Sequence, residues 1–412
     1  MLYAIQCDNS SRLTPAPNRK CGEAGFSTKV TFENTISQQY PFNPLIQENE
    51  DSMNTNPKAV VIEESSVMVR SQIGFGTTDT GMLSKGFLKS SRTDQPYNIK
   101  FNGRNYLVGP NVERYTTPLQ RMDFARLGDG AEAQALTYAA LGLVLGPGNH
   151  PSARVVVGFP VEVMRDEDQA NNVLNTLKSW MEGTHQFQID GQEYCIDIEK
   201  VRVLAQPLGG FYSWAFNKEG KFKVSQSELQ GEILVIDIGF NTLDLYGLNN
   251  MKLEPKYTTG DTAGVRRAAD KLAEYIRQQF DVRVSRTEAN DLLMSSNPVF
   301  RYAGGNTDLT PVIKQVLEAS TTEIINICET KIGNGKQFSH TFFTGGGSQL
   351  LKKEMLKHYP FALVLPNTVM ANATGCAYAG RLKWREADLV IGLDPGFGGF
   401  KVTALRRCKE DQ

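Results

Sequence analysis

The sequence predicts an α/β fold, in which buried strands alternate with the helices that connect them. Strand-like and helix-like segments alternate from about residue 58 to about residue 407. Several strands read as continuous apolar runs, such as ARVVVGFP, which is typical of sheets covered on both faces. The 412 residues also suffice for two or three domains of roughly 150 residues, each with a sizeable core.

The N-terminal part of the chain contains one long polar segment and the first strands. Residues 1–57 are rich in Asn, Ser, Gln and Pro and predict a mostly flexible tail. KAVVIEESSVMV has the β-branched residues of a strand. The glycine-rich GFGTTDTG at 74–81 resembles a phosphate loop but lacks a following Lys, so a surface loop is expected. YNIKFNGRNYLVG predicts a hairpin with Asn102 and Gly103 at its turn.

Helices and buried strands follow in alternation up to residue 206. AEAQALTYAALGLVL is rich in strong helix formers, and DEDQANNVLNTLKSWM has the acidic first turn of a helix. ARVVVGFP and VRVLAQP predict two buried strands, of which the second ends at Gln206.

The second half of the chain predicts the same alternation. GEILVIDIGFNTLDLYGL reads as two strands joined by a tight turn. The following AGVRRAADKLAEYIRQQF predicts an amphipathic helix, and TPVIKQVLEASTTEIINICETKI predicts another. HTFFTGGGSQLLKKEML predicts a strand, a triple-glycine turn and a helix. A helix in NATGCAYAGRLKWREAD then precedes a second strand-turn-strand segment, IGLDPGFGGFKV.

Charge and cysteine content exclude several classes of protein. The 44 basic and 45 acidic side chains give a formal net charge of -1, so there is no general attraction to nucleic acid or anionic membranes. Contact with DNA would need a local patch or an adaptor protein. The six cysteines are far apart, which disfavours a zinc site or disulfides and fits a reducing cytoplasm. No apolar run approaches the roughly 20 residues that span a bilayer, and the N-terminus lacks a signal-peptide profile.

Two strand-turn-strand segments carry the chemistry that we expect. In each, an apolar strand ends at an aspartate, Asp237 or Asp394, and a glycine follows two residues later. Backbone N–H groups in such turns can bind phosphate oxygens, and the two carboxylates suit a hydrated Mg²⁺ shared with a nucleotide. Lys401 would supply positive charge to a phosphoryl group. The predicted phosphate-binding residues of the two turns are Asp237, Gly239, Asn241, Thr242, Asp394, Gly396, Gly398 and Lys401.

Either segment alone is weak support, because an aspartate and a glycine at a strand end are commonly just a hairpin turn. A third element strengthens the prediction. FFTGGGSQLL places Thr344, Gly345, Gly346 and Gly347 between a strand and the N-terminus of a helix. That arrangement admits a ligand close to the backbone and favours negative charge there. The alternative is a turn that packs a helix against a strand.

Together these motifs resemble the superfamily of actins, sugar kinases and heat-shock chaperones. The segments ARVVVGFP, VRVLAQP and NTVMANATGCAYAG look most like ParM-like plasmid-segregating actins and their archaeal relatives. The resemblance implies two lobes with ATP and Mg²⁺ in the cleft between them. Asp237 and Asp394 would hold the metal through water, and the triple-glycine turn would hold the adenosine. The first lobe would comprise residues 58–225 and 369–412, and the second lobe residues 226–368.

The order of the motifs departs from that family. The first phosphate hairpin opens the chain in the family, whereas here its counterpart comes last, which suggests a circular permutation. The joining segment Arg381 to Asp388 could span up to about 27 Å if extended. An artefact, such as a gene read across the origin of a circular DNA, is the alternative.

Gln206 is a candidate catalytic residue. Actins have a Gln at the corresponding place that orients the attacking water, and the ParM-like group has Glu. A water-orienting Gln is a weak base, which would give the slow hydrolysis that suits a filament timer. The alternative is a polar residue that caps the strand before Pro207. For the ribose, Lys271 and Glu274 lie on a suitable helix, but solvated surface charges are the commoner explanation.

The resemblance favours a cytoplasmic, ATP-hydrolysing protein that assembles with itself into filaments and moves plasmid or phage DNA through an adaptor. The alternative is a sugar or acyl kinase, which needs a catalytic Asp for a substrate hydroxyl; no such isolated motif is found. A chaperone would need a further substrate-binding domain, and a membrane-linked scaffold would need an amphipathic anchor.

Overall fold

The computed structural model describes residues 61–76, 95–119 and 130–408. The predicted tail, residues 1–57, and residues 77–81 of the predicted surface loop lie outside these ranges. Helices and strands alternate through the described chain, so the predicted α/β class is confirmed.

A nine-stranded mixed sheet forms the first layer, with the order β1-β17-β16-β5-β7-β6-β3-β4-β2. The hairpin predicted at Asn102 and Gly103 is confirmed, because both residues have positive φ and join two antiparallel strands. The strands of this sheet are β1 (Val61–Arg70), β2 (Ile73–Phe75), β3 (Tyr97–Phe101), β4 (Arg104–Val108), β5 (Gly148–Phe159), β6 (Gly183–Ile189), β7 (Gln192–Ala205), β16 (Leu389–Pro395) and β17 (Gly399–Cys408).

The last hairpin, β16 and β17, lies inside this sheet rather than at its edge. β16 runs parallel to β5, and β17 runs antiparallel to β1 with Cys408 opposite Val61 and Gly399 opposite Arg70. The prediction that this hairpin lies beside the strand containing Glu64 is therefore confirmed. All seven residues of β16 are buried, because the sheet continues on both sides of the hairpin and helices cover it.

The second sheet has six strands in the order β10-β9-β8-β14-β15, with β11 paired to β9. β8 and β9 form the predicted second strand-turn-strand segment, and β14 runs parallel to β8. A separate two-stranded sheet completes the strand inventory of the described residues. The remaining strands are β8 (Glu232–Ile238), β9 (Leu243–Asn249), β10 (Lys252–Leu253), β11 (Thr259–Asp261), β12 (Val299–Tyr302), β13 (Gly305–Asp308), β14 (His340–Thr344) and β15 (Leu363–Val364).

The helices pack on both sheets. The segments predicted to be helical are helices. Within the described residues, three further α-helices were not predicted: Val161–Arg165, Gln206–Ala215 and Arg286–Met294. In chain order the helices are α1 (Ala131–Leu145), α2 (Val161–Arg165), α3 (Glu167–Met181), α4 (Gln206–Ala215), α5 (Arg266–Phe280), α6 (Arg286–Met294), α7 (Thr310–Ile332), α8 (Gly346–His358) and α9 (Ala371–Lys383).

Two boundaries differ from the prediction. β7 ends at Ala205, and Gln206 is the first residue of α4 rather than the last of the strand. Pro207 does not break this helix, because a proline in the first turn has no N–H bond to lose. At the other end, α9 continues to Lys383, so the segment that joins it to β16 is shorter than the predicted Arg381–Asp388.

Arg381 holds that short connection in place. Its side chain is buried, and its guanidinium donates hydrogen bonds to the carbonyls of Arg385, Ala387 and Leu405, at 3.1, 2.7 and 3.3 Å. The last turn of α9, the connection and β17 are thereby held together. All three acceptors are backbone carbonyls. These hydrogen bonds therefore could not be predicted from a carboxylate in the sequence.

Among the described residues, no helix combines the length and the apolar character that crossing a bilayer requires. Within the described residues, Cys195, Cys328, Cys376 and Cys408 are not part of a disulfide.

Candidate functional site

The three predicted motifs meet in one cleft. Its walls come from the β16–β17 turn, the β8–β9 turn and the start of α8. The turns approach each other closely, since a Cβ atom on Gly398 would lie 3.2 Å from Cβ of Phe240. The predicted residues that line the cleft are Gln206, Asp237, Gly239, Asn241, Thr242, Gly345, Gly346, Gly347, Asp394, Gly396, Gly398 and Lys401.

Asp394 at the end of β16 is buried and has a partner on each oxygen. Gln206 Nε2 donates to Oδ1 at 2.6 Å, and Lys401 Nζ lies 3.0 Å from Oδ2. Gln206 also donates to the Pro395 carbonyl at 3.4 Å. Gln206 thus places its amide group beside the predicted metal carboxylate, and an ion pair holds Lys401 near the predicted phosphate-binding turn.

Asp237 at the end of β8 is equally buried but only half satisfied. Asn372 Nδ2 donates to Oδ2 at 2.8 Å, whereas Oδ1 has no hydrogen-bond partner within the described residues. Burial raises the pKa of Asp237 to about 7, and the neighbouring Asp394 carboxylate adds to this effect; Asn372 and Lys401 oppose it. The side chain therefore gains from any cation or hydrogen-bond donor that enters the cleft.

The turn between β8 and β9 is held from behind by the start of α5. Gly239 N–H donates to the Thr242 carbonyl at 2.8 Å, and Arg266 N–H donates to the Phe240 carbonyl at 2.7 Å. The side-chain oxygen Oδ1 of Asn241 is buried and has no partner among the described residues. The cleft wall thus presents a second unpartnered acceptor besides that of Asp237.

The three consecutive glycines do not serve one purpose. A Cβ atom on Gly345 would lie 2.2 Å from Asp237 Oδ1, and one on Gly347 would lie 2.8 Å from the Ile238 carbonyl oxygen. These two glycines let α8 pack against the end of β8. Only Gly346 has open space beside it, with no atom within 4 Å. The packing alternative from the sequence therefore explains two of the three positions.

Thr344 lies behind the cleft rather than on its wall. Its side chain is fully buried, and its hydroxyl donates to Asn372 Oδ1 at 3.2 Å. The disfavoured ribose candidates lie elsewhere: Lys271 forms an ion pair with Glu323, and Glu274 forms one with Arg277.

Several residues of the site were not predicted from the sequence. No role was predicted for Asn372, because its contact with Asp237 joins residues 135 positions apart. Ser71 donates to the Gly396 carbonyl and so fixes the β16–β17 turn. Asp244 is fully buried opposite Asp237 in the hairpin register, and it accepts the Val161 N–H at 3.1 Å. Burial raises the pKa of Asp244 well above its usual range.

A bridge spans the two sides of the cleft near Met68, Asn290 and Met294, which line it. Arg70 at the end of β1 donates two hydrogen bonds to the Asp291 carboxylate of α6, at 3.0 and 2.5 Å. Gln72 Nε2 donates to Thr287 Oγ1 on the same helix at 3.2 Å. These contacts tie the edge of the first sheet to a helix that belongs to the second half of the chain.

The residues present fit a nucleotide with a hydrated magnesium ion. Metal-bound waters are hydrogen-bond donors, and Asp237 Oδ1 and Asn241 Oδ1 are buried acceptors without partners among the described residues. Lys401 provides a cation, and the start of α8 provides backbone N–H groups beside the open position at Gly346.

Two family models match parts of the sequence. Residues 27–209 match the family of actin-like proteins, N-terminal domain, and residues 235–357 match the C-terminal domain of the MreB-like archaeal actin homologues. The β16–β17 hairpin lies outside both matched ranges. No curated protein matches the sequence.

Solved structures show the same fold at low sequence identity. Ta0583, an archaeal actin homologue, is 17% identical, with a TM-score of 0.57, and the match covers 77% of this chain and 98% of that one. The apo ParM of pSK41 gives 17% identity, a TM-score of 0.56 and coverages of 77% and 91%. The ParM of a 15-stranded filament from Clostridium botulinum gives 18%, 0.59, 75% and 91%.

Proposed function

Because the chain is a member of the actin-like ATPase superfamily, we propose that it binds ATP in this cleft, hydrolyses it slowly and assembles into filaments. The observation that carries the proposal is the convergence of both aspartate hairpins and the triple-glycine turn on one cleft with unpartnered buried acceptors. The archaeal homologue Ta0583 has been solved in complex with ADP, which supports a nucleotide as the ligand.

The residues of the cleft would have different roles in ATP hydrolysis. Magnesium, when bound, would neutralise phosphate charge; Asp237 and Asp394 would hold it through water. Lys401 would neutralise the charge on the transferred phosphoryl group, and the turn N–H groups would fix its oxygens. Gln206 uses its nitrogen to hold Asp394, so its side-chain oxygen is the atom that would accept a hydrogen bond from the attacking water.

Solved structures that share this fold support the proposed self-assembly. A ParM in a 15-stranded filament and a ParM mutated so that it cannot polymerise both match the chain over most of its length. By this likeness, the proposed role is to move plasmid or phage DNA through an adaptor protein. The near-neutral net charge of -1 fits an adaptor rather than direct DNA binding.

We further propose that the chain is circularly permuted relative to its family. Cys408 at the end of β17 pairs with Val61 at the start of β1, so a short turn could join the two strands directly. The order β16, β17, β1 would then be a simple meander of antiparallel strands. If the hairpin had been moved from the start of the chain to its end, the three strands would be neighbours in this way.

Light scattering and electron microscopy with purified protein test the proposed function. With ATP and Mg²⁺, scattering should rise above a critical protein concentration. Asp237→Ala and Asp394→Ala should each lower hydrolysis at least about a hundredfold, because each removes a preorganised charge. Gln206→Ala should still assemble but disassemble slowly. Glu274→Ala is the matched control, since the hydrogen bonds that Glu274 accepts within the described residues come from Arg277 and Gln278 on its own helix.

Two results would contradict the proposal. The first is near-native hydrolysis by either aspartate variant. The second is a protein that stays monomeric at all concentrations and transfers phosphate to a sugar, which would favour the kinase alternative.

A further inference from the structure

Asn372 connects two parts of the site that are distant in sequence. It is the second residue of α9 and only 3% exposed. Its side chain lies between Asp237, at the end of β8, and Thr344, at the end of β14. Both of those strands end at the cleft, and Thr344 directly precedes the triple-glycine turn.

The chemistry of the partners fixes the orientation of the Asn372 amide. When Asp237 is ionised it only accepts hydrogen bonds, so the NH₂ group then faces it, as in the structure, at 2.8 Å from Oδ2. The amide oxygen then faces the Thr344 hydroxyl, which donates to it at 3.2 Å. With Oδ2 engaged, Oδ1 is the oxygen of Asp237 that has no hydrogen-bond partner in the part of the chain that the structure describes.

The backbone of Asn372 is held as firmly as its side chain. A Cβ atom on Gly209 of α4 would lie 2.5 Å from the Asn372 carbonyl oxygen, so only glycine lets α4 approach α9 here. The same helix α4 begins with Gln206, whose amide holds Asp394. One helix crossing therefore positions an amide on each of the two cleft carboxylates.

We propose that Asn372 is a positioning residue for the metal ion: it binds Oδ2 of Asp237, a carboxylate that lines the cleft, and couples that carboxylate to the triple-glycine turn through Thr344. This inference rests on the proposed function, because it assumes that the cleft binds a nucleotide with Mg²⁺. It adds that metal retention depends on Asn372, which lines the cleft and acts on the metal through Asp237.

The test measures how fast a fluorescent ATP analogue, mant-ATP, leaves the full chain at a series of Mg²⁺ concentrations and in EDTA. Asn372→Ala should raise the Mg²⁺ concentration for half-maximal retention about 10- to 100-fold, as loss of a carboxylate-orienting partner typically does. The isosteric Asn372→Asp, which loses the donor to Asp237, should raise it at least as much. Release in EDTA should change by less than about threefold in both variants.

Thr374→Ala is the matched control. Thr374 lies on the same helix and shares a hydrogen bond with Thr403 on β17, at 3.2 Å, away from Asp237. It should lower thermal stability without changing the Mg²⁺ dependence. The inference is overturned if both Asn372 variants keep the wild-type Mg²⁺ dependence, or if they speed release equally in EDTA. Wild-type protein that shows no Mg²⁺-dependent retention would instead overturn the proposed function, and the inference with it.

Discussion

Asp237 makes the stability of the ligand-free protein depend on pH in an unusual direction. Burial raises its pKa from 3.8 to about 7. Between these values the folded protein keeps a proton that the unfolded chain has released, so a rise in pH lowers the free energy of unfolding. The contribution is complete below about pH 4 and lost as the pH rises through about 7.

Asp237→Asn should remove this dependence. The free energy of unfolding of the variant, relative to wild type, should increase from pH 4.5 to pH 8 by an amount on the order of 4 kcal/mol at most. Urea denaturation at several pH values measures it. Asp308→Asn is the control, because the exposed Asp308 has a lowered pKa, from its bonds to Thr310, and does not titrate in this range. Parallel curves for wild type and Asp237→Asn would refute the prediction.

At the scale of single residues, site residues that are neighbours in the chain could be predicted from the sequence. Site residues that come together only through folding could not. The aspartates and glycines of each turn are neighbours in the chain, so their spacing identified them. Asn372, Ser71 and Asp244 meet their partners only after folding, through contacts such as the one between positions 237 and 372. Gln206 was predicted from its resemblance to actins, and its contact with Asp394 came only from the structure.

The contact between β1 and α6 shows how whole secondary-structure elements contribute to the cleft. Arg70 and Asp291 are both partly exposed, at 39% and 45%, so their ion pair adds little to global stability. It lies beside the cleft, however, and must break if β1 and α6 move apart to release a nucleotide. Its two parallel hydrogen bonds fix the geometry of the ion pair more tightly than a single hydrogen bond would.

Breaking this bridge should therefore speed nucleotide release without unfolding the protein. Arg70→Ala or Asp291→Ala should raise the dissociation rate of mant-ATP about three- to fivefold, the scale of an exposed ion pair. The effect should shrink in high salt. The exchanged pair, Arg70→Asp with Asp291→Arg, should restore slow release, whereas Arg277→Ala, which breaks a pair within α5, should change nothing. Unchanged release in both alanine variants would show that the bridge does not control the cleft.

Elements were predicted best where periodicity or apolar runs mark them. Helix α4 was missed because Pro207 and two glycines, Gly209 and Gly210, argue against a helix on propensity alone. Tertiary contact overrides that propensity, since Gly209 meets Asn372 and Gly210 meets Thr344. The same packing that hides the helix from sequence patterns places it at the site.

For the whole molecule, the proposed permutation predicts that chain order is exchangeable. Truncation after Glu386 should abolish ATP binding and expose the edges of β1 and β5, which invites aggregation. Placing residues 387–407 before Lys58 through a short Gly/Ser linker should restore binding, because β17 already pairs along β1. The linker should cost on the order of one kcal/mol in loop closure. Calorimetry with ATP measures the affinity of each chain.

A truncated chain that binds ATP as tightly as the full chain would exclude the hairpin from the site. A transplanted chain that folds but does not bind would show that the connection held by Arg381 is itself required.

The position of β16 and β17 in the chain also determines when a newly made molecule becomes able, in our proposal, to bind a nucleotide and join a filament. The hairpin follows every other described element in the chain, yet it fills the gap between β1 and β5. On the ribosome, β1 emerges without its neighbour strand and waits for about tens of seconds at ordinary rates of synthesis. A nascent chain lacks Asp394 and Lys401 during that wait. In our proposal it can neither hold a nucleotide nor join a filament, so translation itself keeps unfinished subunits out of the polymer.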